Sequence, residues 1–170
     1  MKKIVCLITG PPGAGKSTIC EKLCEKFSKA VRIDVDYLRH MIRNGYVAPF
    51  PKTKESDKQI SLATENACIL ANNFLKSEFN VFIDDVVVSK EKLDTYYKLI
   101  NNLIVFVLFP KESILVKRDK SRGENAMNER ALELHKEFNK IINDRKWHIL
   151  DSSNHDIEQT LEEIIKIIKK

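Results

Sequence analysis

The stretch from residue 4 to residue 29 constrains the possible fold more than any other part of the chain. Residues 4–9 form a short apolar run, and residues 16–29 place apolar side chains at the spacing of a helix. Between these segments lies the sequence Gly-Pro-Pro-Gly-Ala-Gly-Lys-Ser-Thr. A buried strand, a glycine-rich turn and an amphipathic helix in this order indicate the first unit of an α/β sheet.

The same alternation of strands and helices continues along the rest of the chain. We predict strands over residues 4–9, 31–35, 81–88, 103–109 and 147–150. We predict helices over residues 16–29, 36–43, 57–78, 90–100, 111–122 and 129–144, and a last helix capped by Asp156. The apolar run of residues 103–109 is uninterrupted, which is typical of a strand covered on both faces. The sequence therefore predicts a three-layer α/β fold with a parallel sheet between two layers of helices.

Length and composition fit one domain over residues 1–170. The chain is 43% apolar and has four scattered cysteines, too few for a disulfide framework. The apolar run of residues 4–8 is too short for an export signal or a membrane span, so we expect a cytoplasmic protein without a membrane partner. The net charge of +5 is compatible with a nucleic-acid surface or with solvated lysines. Because no basic stretch is rich in aromatic residues, we expect no nucleic-acid partner.

The glycine-rich segment fits the pattern G-x-x-x-x-G-K-[ST] of a phosphate-binding loop. Its glycines permit backbone conformations that turn successive amides toward one anion, and the start of the next helix adds N–H groups. Lys16 is expected to bridge the outer phosphates of a nucleotide, and the Ser17 hydroxyl to bind Mg²⁺. The residues assigned to the nucleotide are Gly10, Pro11, Pro12, Gly13, Ala14, Gly15, Lys16, Ser17 and Thr18. We expect ATP and Mg²⁺ as ligands, although no base-reading motif separates ATP from other triphosphates.

A metal bound to a nucleotide needs a carboxylate besides the loop serine. The apolar residues 81–83 are followed by Asp84, a position from which a carboxylate reaches a Mg²⁺-bound water near Ser17. Asp85 comes next and points the opposite way if the strand continues. We prefer Asp84 as the metal residue; the alternatives are Asp85, or a solvated turn with no metal role.

The class of nucleotide-binding protein follows from the motifs around this core. Guanine-specific switch proteins carry N-K-x-D, but here the pair Asn139-Lys140 is followed by isoleucines. Motor and ring-forming ATPases normally need a larger domain than 170 residues. A kinase for a small substrate remains, which must orient an acceptor hydroxyl in line with the γ-phosphate and shield the reaction from water.

Candidate residues for the acceptor follow the second predicted strand. Asp34 and Asp36 lie two residues apart near its carboxyl end, where open parallel sheets bind ligands. We predict Asp36 as the general base, with Asp34 as the alternative, and Arg39 as a contact for the acceptor or the transferred phosphate. Tyr37, Tyr46 and Phe50 are candidates for an aromatic wall of the acceptor pocket. In competing interpretations, Asp36 only caps the helix that it precedes and the aromatic residues pack in the core.

A lid over the phosphates is predicted near residues 117–130. Arg118 and Arg122 are four residues apart on a helix and share a face, Gly123 can hinge the segment that follows, and Arg130 lies beyond it. Guanidinium groups folded over the phosphates would neutralise charge in the transition state. The alternative is a solvated basic helix.

These motifs together resemble the small phosphate-loop kinases that include chloramphenicol phosphotransferase, gluconate-kinase-like proteins, zeta toxins and the kinase part of polynucleotide kinase. The resemblance implies a fold of the nucleoside-monophosphate-kinase type with sheet order 2-3-1-4-5. It also implies that Asp36 is the catalytic Asp and that Arg118, Arg122 and Arg130 belong to the lid. The departure is in residues 45–51, which match no known acceptor pocket of these kinases.

The sequence therefore predicts an ATP- and Mg²⁺-dependent phosphotransferase that acts on a hydroxyl of a small molecule. The acceptor is antibiotic-like, sugar-like or nucleoside-like, and Asp34, Asp36, Arg39 and Tyr46 are its candidate contacts. One alternative is a polynucleotide 5′-hydroxyl kinase, which also places an Asp three residues before an Arg. The other is a regulatory module or ATPase that binds the nucleotide without phosphoryl transfer.

Overall fold

The computed structural model describes residues 3–121, 123–142 and 147–169. Its strands are β1 (Val5–Thr9), β2 (Ala30–Asp34), β3 (Asn80–Asp84), β4 (Ile104–Leu108) and β5 (His148–Leu150). Its helices are α1 (Lys16–Glu25), α2 (Val35–His40), α3 (Lys54–Lys76), α4 (Lys90–Leu99), α5 (Glu112–Lys120), α6 (Glu129–Ile141) and α7 (Ile157–Ile168). A short 3-10 turn, Gly123–Asn125, lies between α5 and α6.

The strands form one parallel sheet in the order β2-β3-β1-β4-β5. Side chains from α3, α4 and α6 cover one face of this sheet, and side chains from α1, α5 and α7 cover the other. The prediction of a three-layer α/β fold with sheet order 2-3-1-4-5 is therefore confirmed. No helix in the described part of the chain is both long and apolar enough to cross a membrane.

Successive side chains of β1 enter two different cores. Val5 and Leu7 join the core under α3, α4 and α6, whereas Cys6 and Ile8 join the core under α1, α5 and α7. This alternation is the ordinary geometry of a strand, and here both faces are buried. A fully buried Leu or Ile contributes about 1.5–3 kcal/mol relative to an exposed one. The central position of β1 thus explains why its sequence is apolar at consecutive positions.

The third strand is shorter than predicted, because β3 ends at Asp84 instead of continuing to residue 88. Beyond this point the backbone turns to partners outside the sheet ladder. The Val86 amide donates to the Asp85 side chain at 2.8 Å, and the Val87 amide donates to Thr9 Oγ1 at 2.9 Å. The β-branched residues after Asp84 therefore line a connection that is tied to the end of β1.

Two helices begin earlier than predicted, because side chains cap them. Asp34 Oδ1 accepts a hydrogen bond from the Tyr37 amide at 3.0 Å, so α2 starts directly after β2. Thr53 and Ser56 form a reciprocal capping box at the start of α3, with side-chain to backbone distances of 3.0 and 2.8 Å. The interpretation that Asp36 caps α2 is wrong, since Asp34 has that role.

Asp85 fixes the connection after β3 to helix α4. Its carboxylate accepts hydrogen bonds from Lys92 Nζ at 2.7 Å and from the Tyr96 hydroxyl at 2.6 Å. Burial raises the pKa of Asp85, whereas the Lys92 charge and the two hydrogen bonds act to lower it. Lys92 also donates to the carbonyl of Val86 at 3.1 Å, which holds both sides of the turn.

We predict that Lys92→Met lowers the free energy of unfolding by about 3 kcal/mol at neutral pH, because it leaves a buried carboxylate without its cation. Without Lys92 the pKa of Asp85 rises further, so the carboxyl takes up a proton as the pH falls and the charge penalty disappears. Urea unfolding at pH 7 and pH 5 measures this, and the loss should be smaller at pH 5.

The matched control is Lys98→Met on the exposed last turn of the same helix, which should change stability by less than about 0.5 kcal/mol. Equal losses for the two variants, or a loss that does not depend on pH, would contradict the role of the Lys92 and Asp85 pair.

Candidate functional site

The carboxyl ends of β1, β2 and β3 meet at one edge of the sheet and border a cleft of ≈ 590 Å³. This is the edge at which parallel α/β sheets bind ligands. The residues lining the cleft are Pro12, Gly13, Gly15, Lys16, Ser17, Thr18, Asp34, Asp36, Asp84, Asp85, Val86, Arg118 and Met127. The fold therefore brings the glycine-rich loop together with carboxylates and an arginine that lie far apart in sequence.

The glycine-rich loop has a backbone that requires its glycines. Gly10 has φ +146°, and a Cβ there would overlap the carbonyl oxygen of Leu108 on β4. Gly15 adopts φ 95° and ψ 13°, the left-handed conformation, immediately before α1 begins. In the described structure no side chain caps the start of α1, so its first amides are available to an anion at the cleft.

Lys16 lies over this loop. Its side chain is largely buried, and Nζ donates to the carbonyl of Pro11 at 3.2 Å. The same carbonyl accepts from the Ala14 amide at 3.1 Å, which closes the loop into a turn. The lysine ammonium is thus held beside the backbone amides that the sequence assigns to phosphates.

Two carboxylates meet beside the loop because β2 and β3 pair in register. Asp34 stands opposite Asp84 in this pairing, and both side chains accept a hydrogen bond from Arg32 Nη2 at 2.7 Å. Arg32 Nη1 also contacts Glu21 of α1 at 2.8 Å. Sequence analysis missed Arg32; its position two residues before Asp34 on a strand, and hence on the same face, was the available signal.

The residues present fit a magnesium ion that arrives with a nucleotide. In the described residues no group of three or more His, Cys, Asp or Glu side chains forms a metal cage. Ser17 and Asp84 line the same cleft, however, and both offer oxygen ligands. Mg²⁺ is usually held in this way, by one or two protein oxygens together with substrate phosphates and waters.

Asp85 and Asp84 are directed to different partners, as expected from consecutive strand residues. Asp84 bonds to Arg32 on the α1 side of the sheet, whereas Asp85 bonds to Lys92 and Tyr96 of α4. Both residues border the cleft, but the carboxylate of Asp85 is already hydrogen-bonded to side chains of α4. The Asp84 side chain thus lies on the face of the sheet that α1 covers, and Ser17 belongs to the first turn of α1. This arrangement favours Asp84 over Asp85 as the partner of Ser17.

Asp36 is the exposed carboxylate of the cleft. Its side chain is 65% exposed and pairs with Arg39 at 3.2 Å, one helical turn further along α2. Because Asp34 caps α2, the Asp36 carboxylate is not required for the helix start. It lines the cleft, and most of its side-chain surface is open to solvent.

The surface next to α2, where the sequence predicts the acceptor, carries aromatic and basic side chains. The Tyr46 hydroxyl lies 3.2 Å from His40 Nε2. The Arg39 guanidinium stands 6.0 Å from the centre of the Tyr46 ring. The loop is fixed by buried Gln59, whose amide bonds to the backbone of Gly45 and Val47 at 2.7 and 2.9 Å. Sequence analysis did not single out Gln59, a polar residue on the inner face of an amphipathic helix.

The aromatic residues of this side are not core residues. Phe50 is 56% exposed and Tyr46 is 36% exposed, so the interpretation that they pack in the core is wrong. Neither ring lines the cleft itself in this structure, and both stand on the segment that follows α2. They form part of the exposed surface next to α2.

Arg118 connects the cleft to a second pocket of ≈ 490 Å³. Its guanidinium donates to the Ser152 carbonyl at 2.8 Å and contacts the Ser152 hydroxyl at 3.2 Å. The residues lining this pocket are Ala14, Gly15, Thr18, Ile19, Arg118, Ser152, His155, Asp156, Ile157, Glu158 and Thr160. This pocket was not predicted, because residues 152–160 come near the loop through tertiary contacts such as the packing of α7 on α1 and the bonds of Ser152 to Arg118.

The other two lid arginines are in different situations. Arg122 lies outside the described residues. Arg130 pairs with Glu133 at 2.9 Å and with Glu137 at 3.1 Å, and its guanidinium stands 4.7 Å from the centre of the Phe50 ring. Arg130 thus contacts the segment that follows α2 and does not line the cleft in this structure.

Asp119 anchors the lid segment to the phosphate loop. Its buried carboxylate accepts from the backbone amides of Met127 at 3.2 Å and Asn128 at 2.7 Å. Its own backbone is so close to Gly13 that a Cβ on that glycine would stand 3.3 Å from the Asp119 nitrogen. The Asp119 carboxylate therefore ties the start of α6 to the end of α5, close to the phosphate loop.

Comparisons with known proteins agree with this geometry. A family model described as an AAA domain, AAA_33, matches residues 5–141. No curated protein matches the chain. Among solved structures, an unliganded sugar kinase from Janibacter sp. is 14% identical, with a TM-score of 0.75 over 98% of this chain and 95% of that one.

Two further solved structures share the architecture. Thymidylate kinase from Candida albicans is 16% identical, with a TM-score of 0.74 over 99% of this chain and 92% of that one. Shikimate kinase from Acinetobacter baumannii, in complex with shikimate, is 18% identical, with a TM-score of 0.67 over 98% and 93%. The sheet order, the loop and these similarities give the fold of small P-loop kinases, and the chain belongs to the AAA_33 family.

Proposed function

We propose that the protein is a kinase that uses ATP and Mg²⁺ to phosphorylate a hydroxyl group of a small molecule. The observation that carries the proposal is the single cleft bordered by the phosphate loop, Asp84, Asp36 and Arg118. A regulatory nucleotide-binding module would need the loop but would have no use for an exposed carboxylate across the cleft from it. The proposed kinase needs all of these groups.

The nucleotide extends over both pockets in this proposal. Its phosphates lie on the amides of residues 10–18 beside Lys16, and its base enters the pocket next to α7. Gly15, Thr18 and Arg118 border both spaces, so one ligand can pass from one to the other. Apolar walls with a few polar groups, as this second pocket has, suit a nucleotide base.

Ser17 and Asp84 hold the metal together with the nucleotide phosphates. When bound, Mg²⁺ neutralises charge on the outer phosphates and keeps them in line for transfer. The Ser17 hydroxyl stands at the first turn of α1, and the Asp84 carboxylate at the end of β3, on the same face of the sheet. Both side chains border the space where the outer phosphates lie.

Asp36 accepts the proton of the acceptor hydroxyl during the transfer. The acceptor oxygen forms a bond to the γ-phosphorus, the bond to the β,γ-bridging oxygen breaks, and ADP leaves. Arg118 stabilises the negative charge from the lid side, with Arg122 and Arg130 as the further predicted contacts. Arg130 first has to exchange its two glutamates for phosphate, which requires closure of the lid segment.

The acceptor binds between α2 and the lid, near Asp34, Arg39 and Tyr46. The three solved structures differ in acceptor, as their names state, so the shared fold supports phosphotransfer without selecting a substrate. A polynucleotide 5′-hydroxyl is the second candidate, because Arg39 stands beside Asp36 at 3.2 Å and can hold a phosphate next to the acceptor oxygen.

The free thiols fit the proposed cytoplasmic location. Cys6, Cys20 and Cys68 are buried, Cys24 is half-buried, and none of these four is paired in a disulfide. Burial raises the pKa of Cys6 to about 12, so this thiol is inert at neutral pH. Reduced, buried cysteines are typical of proteins in a reducing compartment.

We predict that Asp36→Asn reduces kcat by roughly 10²–10⁴ while the Kd for ATP stays nearly unchanged, because the general base acts on the acceptor and not on the nucleotide. Steady-state kinetics and calorimetry measure the two quantities. The control Asp57→Asn removes an exposed carboxylate from α3 and should leave both unchanged. Full turnover in Asp36→Asn would remove this residue from its role.

Lys16→Ala should weaken ATP binding by about 10–100-fold, since it removes a charge-assisted hydrogen bond to the outer phosphates. Titration calorimetry with ATP gives the affinity directly. Lys22→Ala, on the exposed face of the same helix, is the matched control and should bind ATP like the unmodified protein. If the two variants behave alike, the phosphates are not at this loop.

Transfer of the γ-phosphate from labelled ATP distinguishes the candidate functions. The acceptors are sugars, nucleosides, phenicol and aminoglycoside antibiotics, and 5′-hydroxyl oligonucleotides. Label on a small alcohol supports the proposed function, and label only on oligonucleotides supports the polynucleotide kinase. Release of label only to water, with unchanged rates when acceptors are added, identifies an ATPase.

A further inference from the structure

Arg32 joins the two carboxylates that border the proposed metal position. One of its nitrogens, Nη2, donates to Asp34 Oδ2 and to Asp84 Oδ2, each at 2.7 Å. Its other terminal nitrogen, Nη1, donates to Glu21 Oε1 of α1 at 2.8 Å. The Arg32 side chain is 22% exposed and is thus mostly buried in the fold.

The pairing of β2 with β3 explains why a cation stands at the position of Arg32. Asp34 and Asp84 are paired residues of neighbouring parallel strands, so their carboxylates stand side by side on one face. Like charges in direct cross-strand positions repel each other. The Asp84 side chain is only 7% exposed, so water screens this repulsion poorly. Arg32, two residues earlier on the same strand face, puts one positive charge in contact with both.

An arginine fits this task better than a lysine. A guanidinium has donors fixed in a planar fork, so it can bind two carboxylates on one side and Glu21 on the other without moving. A lysine ammonium supplies the charge but not the fixed fork. The contacts observed at Arg32 use both terminal nitrogens.

We propose that Arg32 is a positioning residue that makes metal binding depend on the nucleotide. By holding Oδ2 of Asp84, it directs the remaining oxygen, Oδ1, toward the metal-bound water near Ser17. By placing its positive charge between Asp34 and Asp84, it weakens the capture of a divalent cation by this pair alone. The metal then binds stably only with the phosphates of the nucleotide. This inference rests on the proposed metal role of Asp84.

Manganese binding to the nucleotide-free protein tests the proposal without any kinase assay. Loss of the electron paramagnetic resonance signal of free Mn²⁺ reports binding. We expect the unmodified protein to bind Mn²⁺ weakly unless ADP is present. Arg32→Gln leaves the two carboxylates without their cation and should bind Mn²⁺ about tenfold more tightly, or better, in the absence of nucleotide, because a positive charge no longer opposes the ion.

The second variant, Arg32→Lys, keeps the charge and loses the fork. It should bind Mn²⁺ as weakly as the unmodified protein without nucleotide. Its turnover should nevertheless fall by about 10–100-fold, because Asp84 is no longer oriented. Lys29→Gln, just before β2 and in contact with the Phe79 ring at 5.9 Å, is the control for simple charge removal. It should alter neither Mn²⁺ binding nor turnover.

A double variant identifies which groups capture the cation. Asp34→Asn keeps an oxygen for the Tyr37 amide, so α2 keeps its cap, but it removes one charge of the pair. In Arg32→Gln with Asp34→Asn, the gain in Mn²⁺ affinity should disappear. Persistence of the gain would place the captured ion elsewhere and overturn the proposal.

Other results separate this inference from the proposed function. If folded Arg32→Gln and Arg32→Lys both bind Mn²⁺ like the unmodified protein and keep full turnover, Arg32 is a structural residue only and the inference fails. If Mn²⁺ capture appears as expected but labelled ATP phosphorylates no acceptor, the inference about Arg32 stands and the proposed kinase function fails.

Discussion

The register between parallel strands is the constraint on which the site depends. Hydrogen bonds of β1 to β3 and to β4 bring three strand ends to one edge, where the chain must turn. At the end of β1, Gly10 passes so close to the Leu108 carbonyl that only a glycine fits. At the ends of β2 and β3, the same register sets Asp34 beside Asp84. The ladder that stabilises the sheet therefore also assembles the phosphate loop and its carboxylates.

The negative charges that gather at this edge of the sheet are compensated by cations inside the fold. Arg32 binds Asp34 and Asp84, and Lys92 binds Asp85, so the carboxylates at the sheet edge have cations as direct partners. Asp36, on α2, is the more exposed carboxylate and pairs with Arg39. This arrangement separates aspartates that look alike in sequence: Asp34, Asp84 and Asp85 have partly or largely buried cations as partners, whereas Asp36 is mostly exposed.

Much of the fold was predictable because it depends on short-range patterns. Uninterrupted apolar runs, helical spacing and the glycine-rich segment gave the layers, and the resemblance to small kinases gave the sheet order. Boundaries failed where side chains compete with the regular ladder. Asp34 caps α2, so the helix begins early. The Val87 amide donates to Thr9 Oγ1 instead of continuing the strand pairing of β3. Spacing in the sequence does not reveal such contacts, which join residues from different elements.

The sequence by itself determined the phosphate loop, because the glycines, Lys16 and Ser17 stand at fixed spacing within one short segment. It also identified Asp36 and Asp84 as candidates from their positions at strand ends. Only the tertiary structure decided which partners these carboxylates have. Arg32, Gln59 and the pocket beside α7 depend on contacts between residues far apart in the chain. Their chemistry comes from packing, which brings together side chains whose individual sequence contexts are those of ordinary strand and helix residues.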